Sequence, residues 1–158
     1  MTSPALFTSR SSEWTTPTNL FEALNKVFHF TLDPCASKTN AKCRRYFTKL
    51  EDGLTKKWSG RVFMNPPYGR QIGKWVKKAH VESQTNAEIV VCLLPSRTDT
   101  IWFHDYCAKG EILFFKGRLH FSEAESPAPF PSMLVCFRKS VRSFEQLTLR
   151  QSSLLVLR

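Results

Sequence analysis

Gly60-Arg61-Val62-Phe63-Met64-Asn65-Pro66-Pro67-Tyr68-Gly69 is the stretch on which the reading of this chain turns. Val62-Phe63-Met64 is a short apolar run between glycine-marked breaks, and it reads as a buried strand running straight into a rigid loop. Pro66 and Pro67 lock their φ angles at about −65° and carry no backbone N–H. Asn65, placed before a proline, is pushed into an extended conformation. The corner therefore offers carbonyl oxygens, one amide side chain and one aromatic ring, with few main-chain donors in competition.

Such a corner suits the grip of an exocyclic amine on a flat ring. The side-chain oxygen of Asn65 and the carbonyl of Pro66 each accept one of its N–H bonds. The lone pair of the adenine amine is delocalised into the ring, so the nitrogen is a poor nucleophile. Two acceptors favour a more pyramidal, electron-richer nitrogen as it attacks, which stabilises the transition state more than the ground state. Tyr68 is suited to stack on a base turned out of a duplex. No strong general base is required, because the proton leaves after the nitrogen has become cationic. The same residues also describe an ordinary proline-rich turn, and alone they do not separate adenine from other planar amines or amides.

Working outward, Trp14-Thr15-Thr16-Pro17 introduces Leu20, Phe21, Leu24, Val27 and Phe28 at helical spacing, with Thr16 as cap and Pro17 in the first turn. The free N–H groups at such a start also suit a carboxylate. Phe30-Thr31-Leu32-Asp33 reads as a short strand that ends in Asp33-Pro34-Cys35-Ala36-Ser37, an acid followed by small residues where doubly wound folds hold a ligand. The segment from Asn40 to Lys57 interleaves Lys42, Arg44, Arg45 and Lys49 with Tyr46 and Phe47, and Glu51-Asp52-Gly53 reads as a turn. Beyond the corner, Ile72, Trp75, Val76 and Ala79 mark a helix with Lys74, Lys77 and Lys78 outward. Glu88 to Leu94 is nearly continuous apolar sequence, expected as a central strand buried on both faces. Pro95 ends it, and a helix carrying Ile101 and Trp102 follows, capped by Thr98 or Asp99. Glu111–Phe115 and Met133–Phe137 are further strands, with Gly117–Phe121 continuing the first and Ser122–Pro131 as a proline-rich loop.

Alternating strands and helices that finish in an antiparallel strand pair define an α/β fold with an open, mostly parallel sheet. Asp33 and Asn65 both end strands, so both are expected to line one crevice at the carboxyl edge. The expected organisation is a flexible terminus over 1–12, a single domain over 13–139 and an extension over 140–158. No apolar run is long enough for a membrane helix and no secretory signal opens the chain, so a cytoplasmic protein is expected. The formal charge of +10, from 23 Lys and Arg against 13 Asp and Glu, favours a polyanionic partner. The odd set of five cysteines has no paired short spacing, so neither a disulfide framework nor a zinc site is expected; Cys92 and Cys136 read as small buried hydrophobes.

Together, Glu13-Trp14-Thr15-Thr16-Pro17, Leu32-Asp33-Pro34-Cys35-Ala36, Asn65-Pro66-Pro67-Tyr68-Gly69, Leu94-Pro95-Ser96-Arg97-Thr98-Asp99-Thr100 and Ala128-Pro129-Phe130-Pro131-Ser132 resemble the phage and prophage DNA adenine-N6 methyltransferases. The resemblance runs from about Glu13 to Phe137. It implies a compact Rossmann-like methyltransferase using S-adenosylmethionine on double-stranded DNA, in the cytoplasm of a bacterial host. By the same resemblance, Asn65, Pro66, Pro67 and Tyr68 are catalytic, and Trp14, Thr15, Thr16 and Pro17 hold the methionine end of the cofactor. Asp33, with Cys35 and Ala36, would meet the cofactor's amino group; Asp52 or Glu51 would meet its ribose. Arg70, Lys74, Arg97 and Arg118 are the candidate DNA contacts. The sequence departs from the wider methyltransferase pattern in that none of its six glycines precedes Gly53, so the Gly-x-Gly cofactor loop is missing. The step from Asp33 to Asn65 is also short for the usual intervening strands and helices. Competing readings are cytosine-N4 methylation, protein glutamine methylation, and a DNA-binding relic without cofactor affinity.

Overall fold

Side-chain alternation assigns the layers. In β3 (Gly60–Met64), Val62 and Met64 face one side of the sheet and Phe63 the other; in β4 (Ala87–Pro95), Val90, Cys92 and Leu94 alternate with Ile89, Val91 and Leu93 in the same way. The structure is a computed structural model that describes residues 14–122 and 124–139. Glu13 and the stretches 1–12 and 140–158 lie outside those residues.

Four further strands, β1 (Leu32–Asp33), β2 (Arg45–Tyr46), β5 (Glu111–Phe114) and β6 (Ser132–Phe137), complete a six-stranded sheet of order β2-β1-β3-β4-β6-β5. The pairs β1–β2, β1–β3 and β3–β4 are parallel, whereas β6 runs antiparallel to both β4 and β5. The open α/β sheet with its antiparallel end is thus as the sequence implies. Helix α1 (Thr18–Phe28) buries Leu20, Phe21, Leu24 and Phe28 against the Phe63 side. Helix α2 (Ile72–Thr85) buries Trp75, Val76 and Ala79 against the Val62 and Met64 side, next to the short α3 (Ile101–Asp105). Each large apolar side chain so buried contributes roughly 1.5–3 kcal/mol. Among the described residues no helix is long and apolar enough to cross a membrane.

The link from β1 to β3 contains β2 but no helix. Loops replace it, and one residue anchors them. Trp58 is fully buried, its Nε1 donates to the Gly53 carbonyl at 2.8 Å, and its ring stacks on Trp75. Its backbone N–H donates to Glu82 Oε2 at 3.2 Å, and Glu82 also receives Lys78 Nζ at 2.6 Å.

Several local expectations are corrected. Phe30 and Thr31 lie before β1 rather than in it. Gly117–Phe121 does not continue β5: Gly117 has φ +80°, the chain turns, and Phe121 becomes a buried loop anchor. Its apolar alternation reflects burial without a partner strand. Pro17 immediately precedes α1, and the Thr16 hydroxyl does not cap it; α3 is preceded by Thr100, with neither Thr98 nor Asp99 as cap. All five cysteines are free.

Candidate active site

Two strand ends make the site. β1 delivers Asp33 and β3 delivers Asn65 to one cavity of about 730 Å³, a size suited to a cofactor-scale ligand. Its wall gathers the Trp14-Thr15-Thr16 segment, Asp33 with Cys35 and Ala36, Asp52, and Asn65 with Pro66, Pro67 and Arg70. Pro17, Glu51, Tyr68, Lys74, Arg97 and Arg118 are not among the lining residues. Lys74, Arg97 and Arg118 are exposed. Glu51 is turned to its own loop, where its carboxylate accepts the Thr48 N–H at 2.8 Å and hydroxyl at 2.9 Å. Between the two acids proposed for a ribose, only Asp52 faces the cavity.

The Asn65 amide is held from behind. Its Nδ2 donates to the Trp14 carbonyl at 2.5 Å and to Thr16 Oγ1 at 2.8 Å. A carbonyl only accepts, so this neighbour fixes which end of the amide is nitrogen. Oδ1 is buried and has no hydrogen-bond partner among the described residues. An unpaired buried oxygen is costly unless a ligand satisfies it. The main-chain carbonyl of Asn65 is itself fixed, accepting Cys35 Sγ at 3.2 Å, which ties the two strand ends together.

Asp33 is buried and accepts the Lys42 N–H at 3.1 Å and the Cys35 N–H at 3.4 Å. Burial pushes its carboxyl up to about 6, against the pull of the Lys42 and Cys35 amides and the Lys42 charge.

Tyr68 does not line this cavity. Its hydroxyl donates to the Leu93 carbonyl at 3.0 Å, and its ring meets Phe130 at 5.5 Å and Phe121 at 6.1 Å, edge to face. Burial raises the phenol well above its ordinary range. The Trp14 ring packs on Phe121 at 5.3 Å and on Phe130 at 5.2 Å. The sequence reads Phe121 as part of a strand and Phe130 as part of a motif, and assigns neither a place in the site. Leu50, 99% exposed on the cavity lining, is likewise an apolar residue that periodicity leaves unassigned. Among the described residues no cluster of His, Cys, Asp and Glu gathers at metal-binding spacing.

An open, mostly parallel α/β sheet, a cofactor-sized cavity at its strand ends and an Asn-Pro-Pro corner in the wall are the features of a methyltransferase. Comparison with known proteins narrows the class. The family model of the DNA N-6-adenine-methyltransferases (Dam) matches residues 5–152, and the chain belongs to that family. It is similar to the DNA N-6-adenine-methyltransferase of Haemophilus phage HP1 (strain HP1c1), 33% identical over 135 residues that cover 78% of this chain and 77% of the relative. It is also similar to the "Putative methyltransferase YfdM" of Escherichia coli (strain K12), 39% identical over 64 residues, 35% of this chain and 70% of the relative.

Proposed function

We propose that this protein methylates the N6 amine of adenine in double-stranded DNA, with S-adenosylmethionine as donor and Asn65 as the residue that grips the amine. The observation that carries the reading is the unpartnered Oδ1 of Asn65, in an amide whose hydrogens are both committed to Trp14 and Thr16. Family membership and the phage relative support the adenine-N6 reaction.

The residues of the cavity fit the donor. Asp33 is a buried carboxylate suited to the ammonium of its methionine end, and Lys38 and Lys42 on the wall suit the carboxylate. Pro34, Ala36, Leu54 and Trp75 would give apolar lining for its adenine, and Asp52 would be the acid for its ribose. When bound, the donor supplies a methyl group made electrophilic by positively charged sulfur. Asn65 Oδ1 and the Pro66 carbonyl accept the two N–H bonds of the target amine, so the nitrogen turns its lone pair toward the cavity as it attacks. Positioning does most of the work, because the leaving group is neutral and needs no acid. The proton leaves the nitrogen after the new bond has formed. Arg70 on the cavity wall, with Lys74, Arg97 and Arg118 on the surface, supplies phosphate contacts under a charge of +10. Residues 13–139 form the catalytic domain in this reading, acting in the cytoplasm of a bacterial host.

The test is incubation of unmodified DNA with methyl-labelled S-adenosylmethionine, followed by nucleoside analysis. N6-methyladenine is expected from the wild type and none from Asn65→Ala. Label in N4-methylcytosine or in protein, or full transfer by Asn65→Ala, overturns the reading.

A further inference from the structure

We propose that the indole N–H of Trp14 reads the target base: it donates to a ring nitrogen beside the amine that Asn65 grips, N1 or N7 of adenine. The proposal rests on the reading of Asn65 given above and departs from the cofactor contact that the resemblance implies for Trp14.

Six buried side-chain polar atoms lack a hydrogen-bond partner among the described residues. Those of His80, Ser96, Glu111 and Ser132 belong to residues away from the cavity; only Trp14 Nε1 and Asn65 Oδ1 belong to its wall. Their polarities are opposite and fixed, since an indole nitrogen only donates and an amide oxygen only accepts. The two residues are joined, because Asn65 Nδ2 donates to the Trp14 carbonyl at 2.5 Å, yet the unpartnered atoms do not satisfy each other. A ligand that fills both needs a donor and an acceptor side by side. Adenine has that edge twice, its amine lying between N1 and N7.

The surroundings of the indole favour a neutral base over a charged group. Its ring packs on Phe121 and Phe130, at 5.3 Å and 5.2 Å, and Tyr68 packs on the same pair. A carboxylate among these aromatic rings would lose its hydration, whereas Lys38 and Lys42 offer it cations elsewhere on the wall. Aromatic faces are weak acceptors and leave the N–H open to a better one. The segment is held in place, because Ser122 donates through its N–H to the Thr15 carbonyl at 3.0 Å and through its hydroxyl to the Thr16 carbonyl at 3.2 Å. A hydrogen bond to a ring nitrogen draws electron density from the amine, so this contact selects the base and does not speed its attack.

Trp14→Phe keeps an aromatic ring and removes the N–H. Duplexes with 1-deazaadenine or 7-deazaadenine at the mapped target replace N1 or N7 by C–H. On one of the two, the wild type is expected to lose about 10-fold in kcat/KM, through KM for DNA. Trp14→Phe should treat that duplex and the adenine duplex alike. Comparing both proteins on each duplex cancels the altered base pairing. In ¹⁵N-labelled wild type the Trp14 indole N–H is assigned by its through-space contacts with Phe121 and Phe130. It should shift when target duplex joins the complex with S-adenosylhomocysteine, and little when that compound binds alone. This readout needs neither methyl transfer nor a variant that folds. Equal losses by wild type and Trp14→Phe on both deaza duplexes overturn the inference, while N6-methyladenine from ordinary DNA would leave the Asn65 reading standing. An indole shift already complete with S-adenosylhomocysteine also overturns it, because Trp14 would then be a cofactor contact.

Discussion

A Cβ added to Gly53 would lie 1.9 Å from the carbonyl oxygen of Pro34, so the loops that follow β1 and β2 meet backbone to backbone in the cavity wall. The obstacle is main chain and has no rotamer in which to escape. Gly53→Ala must push the Asp52 turn away from the Asp33-Pro34 loop, at a cost of roughly 1–3 kcal/mol. Calorimetry with S-adenosylmethionine is expected to show weaker binding, alongside a lower melting temperature. Wild-type affinity and melting would mean that the two loops are not in contact.

Glu82 is the buried hub behind that wall. Burial raises its carboxyl, but the Lys78, Asn86 and Trp58 hydrogen bonds outweigh it and hold the group below its ordinary range. A depressed acid stabilises the fold above its ordinary range, and that contribution is lost as pH falls. Glu82→Ala strands the Trp58 N–H and loosens the indole that holds Gly53, so a loss of roughly 3 kcal/mol is expected in urea unfolding at neutral pH. Glu82→Gln, which keeps an oxygen for Trp58, should lose less. Equal losses in the two variants would count against the hydrogen bonds as the cause.

The Tyr68 hydroxyl satisfies the Leu93 carbonyl at the end of β4, in a setting of aromatic edges. Tyr68→Phe keeps the packing and leaves that carbonyl unpaired, which costs roughly 1–3 kcal/mol. Thermal unfolding should register the loss, and Tyr68→Leu should cost more because the edge contacts with Phe121 and Phe130 go as well. A Tyr68→Phe variant as stable as wild type would mean that water reaches the Leu93 carbonyl.

These residues also mark what the sequence discloses. The Asn65 corner and the buried β4 are legible because proline chemistry and unbroken apolar runs act locally. The missing Gly-x-Gly loop is legible as an absence, but its counterpart is not: close approach comes from Gly53 in the next loop, a contact between segments. The role of Thr16 is hidden for the same reason. Its position before a helix reads as a cap, whereas its hydroxyl meets the Asn65 side chain, three strands further along the chain. Gly117–Phe121 misleads because Leu119 and Phe121 are apolar for burial in a loop, which periodicity cannot distinguish from a strand.

Asp33 makes the stability and the binding of this protein depend on pH in opposite directions. Its carboxyl is raised from 3.8 to about 6 by burial, so between those values the folded chain holds a proton that the unfolded chain has released. Stability from this group is complete below about pH 4 and is lost as pH rises through about 6, an effect on the order of 3 kcal/mol. Urea midpoints measured across this range for wild type and Asp33→Asn isolate it, because every other titrating group is common to both. The wild type should lose stability relative to the variant as pH rises. A cationic amine beside Asp33 reverses the preference, since only the ionised carboxylate pairs with it. Affinity for S-adenosylmethionine should therefore climb as pH passes about 6 in the wild type and stay flat in Asp33→Asn. Parallel binding curves for the two proteins would remove Asp33 from the cofactor's amino group, whatever the stability data show.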